Sequence, residues 1–373
     1  MPIARIECHP VRVPLKPERR MISALGRHEV SDYLLVRVWD DQGAYGVGEA
    51  TVMPRWSGET VWSARALVER VLAPVLVGLD PLDIPTIARR MDEMAAYNHF
   101  TKAAIEMACW DLNGRVAGRP VYELLGGPRR PLEFRCRFSI GAYEPARVRR
   151  VAAERVAAGF TTLKVKVGGH PPDDIERVRA VRAEVGPDIE LMVDANGGWD
   201  AQTAIDALAT LADCRLALVE QPTPPGDYAA LARVRRESGL PLLADEACFD
   251  LAQARELIRN EACDVISVYP GKNGGLGRAR EIVELAAAHG VACSIGSNLE
   301  WDVATAAMGH LVVACENLAV ERYPGDALGP TYHEFSVARQ PLAITGPLVS
   351  IRDEPGLGIE IDWDVVADNA CDA

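Results

Sequence analysis

The middle of the chain contains five short apolar runs: TTLKV (161–165), IELMV (189–193), LALV (216–219), PLLA (241–244) and VISV (265–268). Charged side chains lie within or just after these runs, at Lys164, Lys166, Asp194, Glu220, Asp245 and Lys272. From Lys166 onward the gaps are 28, 26, 25 and 27 residues, which is the length of one strand, one helix and two loops. In a β/α barrel, catalytic side chains lie at the C-terminal ends of successive parallel strands. The spacing therefore predicts a barrel in which three carboxylates converge on one point, with lysines on either side.

Strands and helices alternate throughout this half of the chain. The predicted strands are 133–140, 161–167, 189–194, 216–220, 241–245, 263–268, 291–296 and 318–321. The predicted helices are 145–158, 173–185, 201–212, 227–238, 250–260, 275–289 and 302–314. Eight strands in one repeating unit close a barrel of this type.

The first part of the chain has a different pattern. Alternating apolar residues predict strands at Ile3–Val13, Tyr33–Trp39 and Ala44–Ala50, and helical spacing follows as far as residue 116. After residue 324 the chain becomes rich in Pro and Gly. We expect an α+β capping domain at 1–128, a TIM-like (β/α)7–8 barrel at 129–324, and a C-terminal segment at 325–373 that returns to the capping domain.

The composition limits the class of protein. Of the 373 residues, 49% are hydrophobic and 25% are charged, which is the usual balance of a globular protein. No apolar run has the roughly 20 residues of a membrane span. The net charge of −13 argues against a nucleic-acid partner. Nine cysteines without a CxxC pair, and a charged N-terminus unlike a signal peptide, predict a cytoplasmic protein with reduced thiols.

The three carboxylates predict a magnesium site. Asp194, Glu220 and Asp245 offer hard oxygen ligands from three neighbouring strands, and Mg²⁺ prefers octahedral oxygen coordination. Zn²⁺ is disfavoured because no histidine or cysteine ends these strands. Mn²⁺ is the expected substitute.

The three lysines predict proton transfer. Lys164 and Lys166 are two apart on one strand and so point to the same side, where each ammonium group should lower the pKa of the other. Lys272 follows the sixth strand and should approach from the opposite side. A base on each face of a bound substrate suits an isomerase or a racemase.

These residues form a set of motifs that resembles the enolase superfamily, and within it the muconate lactonizing enzyme subgroup. The motifs are Lys164-Val165-Lys166, Val193-Asp194-Ala195-Asn196, Val219-Glu220-Gln221-Pro222, Ala244-Asp245-Glu246 and Lys272-Asn273-Gly274-Gly275. The mandelate racemase subgroup instead uses a late-strand histidine, and the seventh strand here ends Ser294-Ile295-Gly296-Ser297-Asn298. The approach Tyr269-Pro270-Gly271 departs from the more apolar one of muconate cycloisomerases.

The resemblance implies a mechanism. A Mg²⁺ ion would hold the carboxylate of a small substrate while a lysine removes the α-proton, giving an enediolate. Lys166 would be the base on one face, Lys164 its electrostatic neighbour, and Lys272 the acid or base on the other face. Asn196 and Glu246 would support the metal or the lysines. A homo-oligomer, either a dimer or an octamer, is also expected.

The resemblance places specificity residues less sharply. Asn298, Glu300 and Asp302, with Trp301, open the helix after strand seven, where the family contacts the distal part of its substrates. Glu321 would close strand eight and could bind substrate or pair with Arg322. Two specificity loops would map near Met21–Glu29 and Met53–Ser57, which offer His28, Arg55 and Trp56. Trp56 or Trp301 over a cationic nitrogen would suit an amino-acid-like substrate.

Several functions share the first half-reaction. We expect muconate-type cycloisomerisation first and racemisation or epimerisation of an amino-acid derivative second. Dehydration of a hydroxy acid or a hydroxyproline-like substrate comes third. The alternative from another class is a non-catalytic barrel that binds a metabolite.

Overall fold

The computed structural model describes residues 1–372 and begins with an antiparallel sheet. Its strands are β1 (Ile3–Pro14), β4 (Val30–Asp40) and β5 (Tyr45–Val52), with β4 in the centre and β1 at one edge. A hairpin of β2 (Met21–Ser23) and β3 (Gly26–His28) projects between β1 and β4. The alternating apolar residues that predicted these strands face the core, since Val11, Val13 and Tyr33 are fully buried.

Helices cover one face of this sheet. They are α1 (Pro54–Ser57), α2 (Val61–Leu67), α3 (Ala73–Leu76), α4 (Ile84–Met94), α5 (His99–Ala117) and α6 (Val121–Leu124), with a π-helical turn at Val68–Leu72 before α3. Helix α5 is buried along most of its length and packs against β5. Gly46 and Gly48 make this approach possible, because a Cβ at either position would overlap the backbone of α5.

Seven parallel strands form the wall of the barrel. They are β7 (Phe138–Ile140), β8 (Thr162–Lys166), β9 (Glu190–Asp194), β10 (Leu216–Glu220), β11 (Leu242–Ala244), β12 (Val265–Val268) and β13 (Ala292–Ile295), hydrogen-bonded in chain order. The helices between them are α7 (Pro145–Ala157), α8 (Pro171–Val185), α9 (Ala201–Thr210), α10 (Tyr228–Ser238), α11 (Leu251–Arg259), α12 (Pro270–Asn273) and α13 (Leu276–Ala288), and α14 (Asp302–Ala314) follows β13. The predicted fold class is confirmed.

The predicted eighth strand at 318–321 is wrong. Leu318 makes one parallel bridge to Cys293 and Gly325 makes one to Cys136, while the residues between them form a turn. The turn packs Tyr323 against the cluster of Met192, Leu218, Leu243 and Val265 inside the barrel, and Pro324 has no N–H to donate to a strand. Asp326, whose amide donates to Ile295 O over 2.9 Å, therefore takes the position at the barrel mouth that Glu321 was expected to have.

The first predicted barrel strand is also divided. Residues 133–140 form β6 (Glu133–Arg135) and β7, and β6 pairs with β15 (Leu348–Ser350) instead of joining the barrel. Strand β15 forms a hairpin with β14 (Ala343–Thr345). The interruption falls at Arg137, whose side chain is directed to the barrel mouth and donates to Glu220.

The C-terminal residues run back along the N-terminal sheet. After α15 (Trp363–Asp368), Ala370 bridges to Val11 on the edge strand β1, and the amide of Cys371 donates to Pro10 O. Trp363 packs against His9, with ring centroids 4.9 Å apart. These contacts give partners to backbone groups that an open sheet edge would leave unpaired.

Among residues 1–372, none of the helices combines the length and the apolar character that a bilayer crossing requires.

The contact between β5 and α5 should be sensitive to a single methyl group. Gly48→Ala places a Cβ against the carbonyl of Ala104, which belongs to rigid helix backbone, so we expect unfolding free energy to fall by about 2 kcal/mol. Gly169→Ala is the matched control, because a Cβ there meets only the Asp174 carboxylate at an ordinary 3.8 Å. Urea unfolding measures both variants. Equal stabilities would contradict the proposed close approach.

Candidate functional site

The three carboxylates lie together at the mouth of the barrel. Asp194 ends β9, Glu220 ends β10 in direct register with it, and Asp245 follows β11. Their exposed fractions are 0%, 2% and 5%. Burial raises the pKa of Glu220, and the charges of Asp194 and Asp245 raise it further. Glu220 therefore experiences the charges of both neighbouring acids.

Lys164 and Lys166 bind these carboxylates directly. Lys164 Nζ lies 2.8 Å from Glu220 Oε1 and 3.2 Å from Asp194 Oδ2, while Lys166 Nζ lies 2.5 Å from Asp194 Oδ2. Burial by itself would lower the pKa of Lys166, but the charges of Asp194 and Glu220 raise it above its usual value. The net pKa of Lys166 is therefore set by the carboxylates around it and lies above, not below, its usual value.

Lys272 is held on the opposite side of the mouth. It belongs to α12 after β12, which is the sixth barrel strand, whereas Lys164 and Lys166 lie on the second strand, β8. Its fully buried Nζ donates to Asp245 Oδ1 (2.8 Å), Asp245 O (3.0 Å) and Ser267 O (2.6 Å), so all three N–H groups have partners. The Tyr269 ring lies beneath it, with its centroid 4.7 Å from Nζ.

Asn196 and Glu246 connect the second strand to the fifth. Asn196 Oδ1 accepts from Lys166 Nζ over 2.9 Å, and its Nδ2 donates to Glu246 Oε1 over 2.8 Å. Burial raises the pKa of Glu246 to about 8, and the charges of Asp245 and Asp194 contribute. Its other oxygen, Oε2, is buried without a hydrogen-bond partner. Both residues therefore lie beside the lysines, where the sequence placed them.

Neither Arg137 nor Gln221, which the sequence showed only as part of a motif, was assigned a role in the site. Arg137 is wholly buried just before β7; its Nη2 donates to Glu220 Oε2 over 2.9 Å and its Nη1 to Pro324 O over 2.6 Å. Gln221 Oε1 accepts from the amides of Asp245 and Ala247 and so fixes the loop after β11. Two arginines, Arg135 and Arg137, interrupt the run 134–140, so the local sequence did not single out Arg137, and no local pattern gave Gln221 a role.

A pocket of about 370 Å³ opens above these residues. Its floor includes Lys164, Lys166, Asn196, Glu220 and Asp245, and Ser139 and Asp326 border it at the barrel wall. Its rim comes from the β2–β3 hairpin, the start of β4 and helix α1, and includes Arg27, His28, Asp32, Arg55 and Trp56. Asp194 and Lys272 are buried behind the floor. The two expected specificity loops therefore reach the same cavity as the charged floor.

The candidate specificity residues after strand seven divide into two groups. Asn298 lines the pocket, whereas Glu300 lies behind it and accepts from Ser297 Oγ (2.6 Å) and Asn298 N (2.8 Å). Asp302 accepts from Ser336 Oγ and the Val337 amide, both at 2.8 Å, so its bonds are to the neighbouring loop. Trp301 stacks on Tyr33 with centroids 5.3 Å apart, which makes it a packing residue.

Glu321 is placed away from the pocket. Its side chain is 68% exposed and lies 3.4 Å from Arg130 Nε, in the turn that replaces the predicted eighth strand. Asp326 takes the expected position at the mouth. Its Oδ2 accepts from Ser139 Oγ over 2.8 Å, and its Oδ1 is buried without a partner.

Trp56 and His28 form part of the pocket rim. The Trp56 ring contacts Phe249 and Tyr269 with centroids 4.9 and 5.8 Å away, which ties the capping loop to the barrel beneath Lys272. His28 Nε2 shares a 2.8 Å hydrogen bond with Ser31 Oγ, and burial lowers the pKa of His28.

The donor set at the mouth fits Mg²⁺ chemically. It consists of three buried carboxylates with hard oxygen atoms, and no histidine or cysteine ends these strands. Within residues 1–372, no three or more His, Cys, Asp or Glu side chains are gathered into a ready metal site. The carboxylates are held by Lys164, Lys166 and Lys272 instead.

Two family models match the chain. The model described as mandelate racemase / muconate lactonizing enzyme, N-terminal domain, matches residues 6–126, and the model described as enolase C-terminal domain-like matches residues 147–365.

Similar proteins include an epimerase and a racemase. The chain is 34% identical over 367 residues to a hydrophobic dipeptide epimerase of Enterococcus faecalis, covering 96% of this chain and 99% of the relative. It is 30% identical over 367 residues to an N-succinyl-L-Arg/Lys racemase of Bacillus cereus, covering 98% and 97% of the two chains.

Solved structures of similar proteins share the whole fold. The Bacillus cereus racemase superposes with a TM-score of 0.95 at 29% identity, covering 99% of this chain and 98% of that one. The Enterococcus faecalis epimerase, complexed with Mg and the dipeptide L-Leu-L-Tyr, gives 0.91 at 33% identity, with coverage of 96% and 100%. A 2-chloromuconate cycloisomerase from Rhodococcus opacus gives 0.95 at 31% identity, with both chains fully covered.

The buried Glu300 behind the pocket should make stability depend on pH. Burial raises its pKa from 4.5 to about 8, so the folded state holds a proton that the unfolded state releases above pH 4.5. Unfolding free energy should therefore fall as pH rises from 4.5 to 8, by at most about 1.4 kcal/mol per pH unit from this group, and level off above pH 8.

Glu300→Gln tests this dependence in urea unfolding at a series of pH values. The variant should match the wild type near pH 5, where the carboxyl is protonated in the folded state, and exceed it above pH 8. Parallel curves for the two proteins would contradict the assignment.

Proposed function

Because this chain belongs to the mandelate racemase/muconate lactonizing enzyme family of the enolase superfamily, we propose that it is a racemase or epimerase acting at the α-carbon of an amino-acid derivative. The family resemblance of its motifs is thereby confirmed, and the chain is an isomerase-type enzyme. A non-catalytic barrel is accordingly set aside.

One observation carries the proposal: lysines lie on both sides of the carboxylate cluster. Lys166 is on the second barrel strand and Lys272 follows the sixth, so about half of the barrel circumference separates them. The three strands between them carry Asp194, Glu220 and Asp245. A substrate carboxylate held at this cluster by a bound cation would have its α-carbon between the two amines. Removal of a proton from one face and delivery to the other inverts that carbon.

The hydrogen bonds of the two lysines fit these roles. Asn196 and Asp194 hold the Lys166 ammonium at the pocket floor, where a substrate can reach it. Lys272 is tied to Asp245, so movement of the Asp245 carboxylate toward a metal ion would free one Lys272 donor for the substrate. The Lys272 side chain is wholly buried and that of Lys166 is 12% exposed, so water reaches the two amines mainly through the pocket.

Mg²⁺ is the proposed cofactor, with Asp194, Glu220 and Asp245 as its ligands. When bound, the ion would stabilise the second negative charge that develops on the substrate carboxylate as the α-proton leaves. The carboxylates would exchange lysine contacts for the ion, and Arg137 would keep Glu220 in place through its 2.9 Å hydrogen bond. The similar dipeptide epimerase is complexed with Mg, which supports this assignment.

The pocket supports an amino-acid derivative as the substrate. Asp326 Oδ1 borders the cavity, is buried and has no partner, so it is a candidate acceptor for a substrate N–H. At the rim, Arg27 and Arg55 could pair with a distal carboxylate, and Trp56 offers an apolar wall. An N-acyl amino acid or a dipeptide has the groups that these side chains would bind.

Cycloisomerisation of a muconate-like dicarboxylate is the second candidate. The rim arginines favour it, because a dicarboxylate would place its second negative charge toward Arg27 and Arg55. We rank it below epimerisation, since a lactonisation needs a proton on one face only, whereas this site has lysines on both. Dehydration of a hydroxy acid would use the same first step and ranks third.

Replacement of each lysine should show which face of the substrate α-carbon that lysine serves. Lys166→Met and Lys272→Met should each lower racemisation at least 100-fold, because a proton must both leave and arrive. In deuterated water each variant should still exchange the α-proton of one stereoisomer, and the two variants should retain opposite stereoisomers.

NMR of N-succinyl amino acids and dipeptides measures exchange and inversion together. Lys16→Met, which changes a lysine outside the pocket, is the matched control and should keep both activities. Exchange of the same stereoisomer in both variants would refute the two-face arrangement. Loss of water from the substrate would identify a dehydratase instead.

Mg²⁺ should bind at the carboxylate cluster. Chelation of metal by EDTA should abolish activity and Mg²⁺ or Mn²⁺ should restore it. Independently of activity, saturating Mg²⁺ should raise the melting temperature of the wild type, by an amount corresponding to about 2.7 kcal/mol at 100 times the Kd. Glu220→Gln should lose this shift. Glu321→Gln, an exposed carboxylate outside the pocket, should keep it, and an equal shift in both variants would place the ion elsewhere.

A further inference from the structure

A second cavity lies beside β7, on the side of this strand that faces α7. Its volume is about 230 Å³, and it separates α7 from the N-terminal turn at Pro17–Arg19. Ser139 borders both this cavity and the substrate pocket. The lining combines four arginines with three aromatic rings and two glutamates: Arg19, Arg147, Arg150, Arg155, Phe138, Tyr143, Tyr332, Glu18 and Glu154. Nothing in the proposed reaction uses these residues.

Arg19 is the least satisfied of the four arginines. Within residues 1–372, no carboxylate forms an ion pair with its guanidinium group, and the group makes no side-chain hydrogen bond; its Nη1 is wholly buried without a partner. Its Cζ lies 4.9 Å from the centroid of Phe138 and 5.4 Å from that of Tyr332. Burial lowers the pKa of Arg19, and the charge of Arg155 adds to this effect. A buried donor without an acceptor is uncommon in native proteins.

Arg155 and Arg147 approach the same cavity from α7. The Arg155 Cζ also lies 4.9 Å from the Phe138 centroid; its Nη2 makes a long contact of 3.5 Å to Glu154 Oε2, and its Nε is buried without a partner. Arg147 stacks on Tyr143 at 3.6 Å, and its Nη2 reaches only the backbone oxygen of Glu18, at 3.4 Å. Four arginines against two glutamates leave two excess positive charges here, although the chain as a whole carries −13.

The aromatic rings cannot satisfy these arginines completely. A ring attracts the flat face of a guanidinium group, but the N–H donors lie in the plane of the group and point past the ring. Those donors are arranged to bind an oxyanion with two parallel hydrogen bonds. The unpartnered Arg19 Nη1 and Arg155 Nε belong to guanidinium groups that line the same cavity from two different elements, the N-terminal turn and α7.

We propose that this cavity binds a small oxyanion with two or more negative charges, either inorganic phosphate or the phosphoryl group of a larger molecule. The anion would bridge Arg19 to the barrel arginines Arg147 and Arg155. It would supply the acceptors that the buried donors lack and would cancel the repulsion between neighbouring guanidinium groups.

Binding there would also reach the substrate pocket. The residues just after Arg19 are attached to the barrel by two hydrogen bonds, from Tyr143 Oη to Arg20 O (2.6 Å) and from the Ala142 amide to Ile22 O (2.7 Å). The same segment continues into the β2–β3 hairpin that forms the pocket rim. An anion that fixes Arg19 against α7 would therefore order this rim.

Calorimetric titration with inorganic phosphate, at ionic strength held constant with chloride, tests the site. The wild type should bind one phosphate saturably, and Arg19→Gln and Arg155→Gln should each weaken binding at least tenfold. Arg149→Gln is the matched control, because Arg149 is an exposed arginine on the same helix that does not line the cavity. It should bind like the wild type. Lys166→Met should also bind normally, which separates this site from the pocket floor.

Hydrogen exchange supplies a second measurement on the same proteins. Phosphate should slow amide exchange in residues 20–28 of the wild type and of Arg149→Gln, but not of Arg19→Gln. Methyl phosphate distinguishes the two sources: binding equal to that of inorganic phosphate supports a phosphoryl group of a larger molecule, and weaker binding supports the free anion. Circular dichroism checks that each variant is folded.

If the titration of the wild type with phosphate gives no saturable heat of binding, the proposal is overturned. Equal weakening in Arg149→Gln would also overturn it, because general surface charge would then explain the binding. Loss of binding in Lys166→Met with retention in both Arg19→Gln and Arg155→Gln would place the phosphate in the substrate pocket and refute the second site.

Discussion

The neutralisation of buried carboxylates at the barrel mouth is the constraint on which this structure depends. Asp194, Glu220 and Asp245 come from neighbouring strands and are almost fully buried, so their charges would repel strongly without cations between them. Lys164 lies between the first two, Lys272 holds the third, and Arg137, just before β7, donates to Glu220. The residues that carry the chemistry thus also stabilise one another, and each cation would give up part of its contact when a metal ion enters.

Buried carboxylates also join the N-terminal unit to the barrel. Glu49 of β5 accepts from the amides of Trp301, Val303 and Ala304 at the start of α14, and Glu106 of α5 accepts from those of Leu276 and Gly277 at the start of α13. The first turn of a helix has unpaired N–H groups and a positive end of the dipole, so an acid from another element can cap it. Burial raises the pKa of Glu49 to about 7, which reflects the cost of this position. The helix that follows the loop containing Asn298 is therefore anchored from outside the barrel.

The strands and helices that repeat regularly along the chain were predictable from the sequence, whereas contacts between residues distant in sequence were not. The strand–helix repeat gave most barrel elements to within a few residues, because one buried face repeats at a fixed interval, and it brought Lys164, Asp194 and Glu220 to one edge. It failed at 318–321, where the apolar run is short and the packing of Tyr323 against the barrel interior decides the path. Asp326 was missed for the same reason. Arg137 and Gln221 act through partners distant in sequence, at Glu220 and Asp245, and no local pattern encodes such a contact.

The charged residues of the pocket floor and the residues of the pocket rim lie on different kinds of secondary structure. The charged floor lies on strand ends fixed by parallel hydrogen bonding, where side-chain direction follows from the pleat. The rim comes mainly from a hairpin of two three-residue strands and a one-turn helix. Their positions depend on a few contacts, such as Arg55 Nη1 to Leu25 O at 2.8 Å and Trp56 on Tyr269. A change in the rim can therefore alter which carboxylate is held without disturbing the lysines below. For this reason the motifs identify the first proton transfer. The choice between epimerisation and cycloisomerisation depends on how Asp326 and the rim arginines bind the distal part of the substrate.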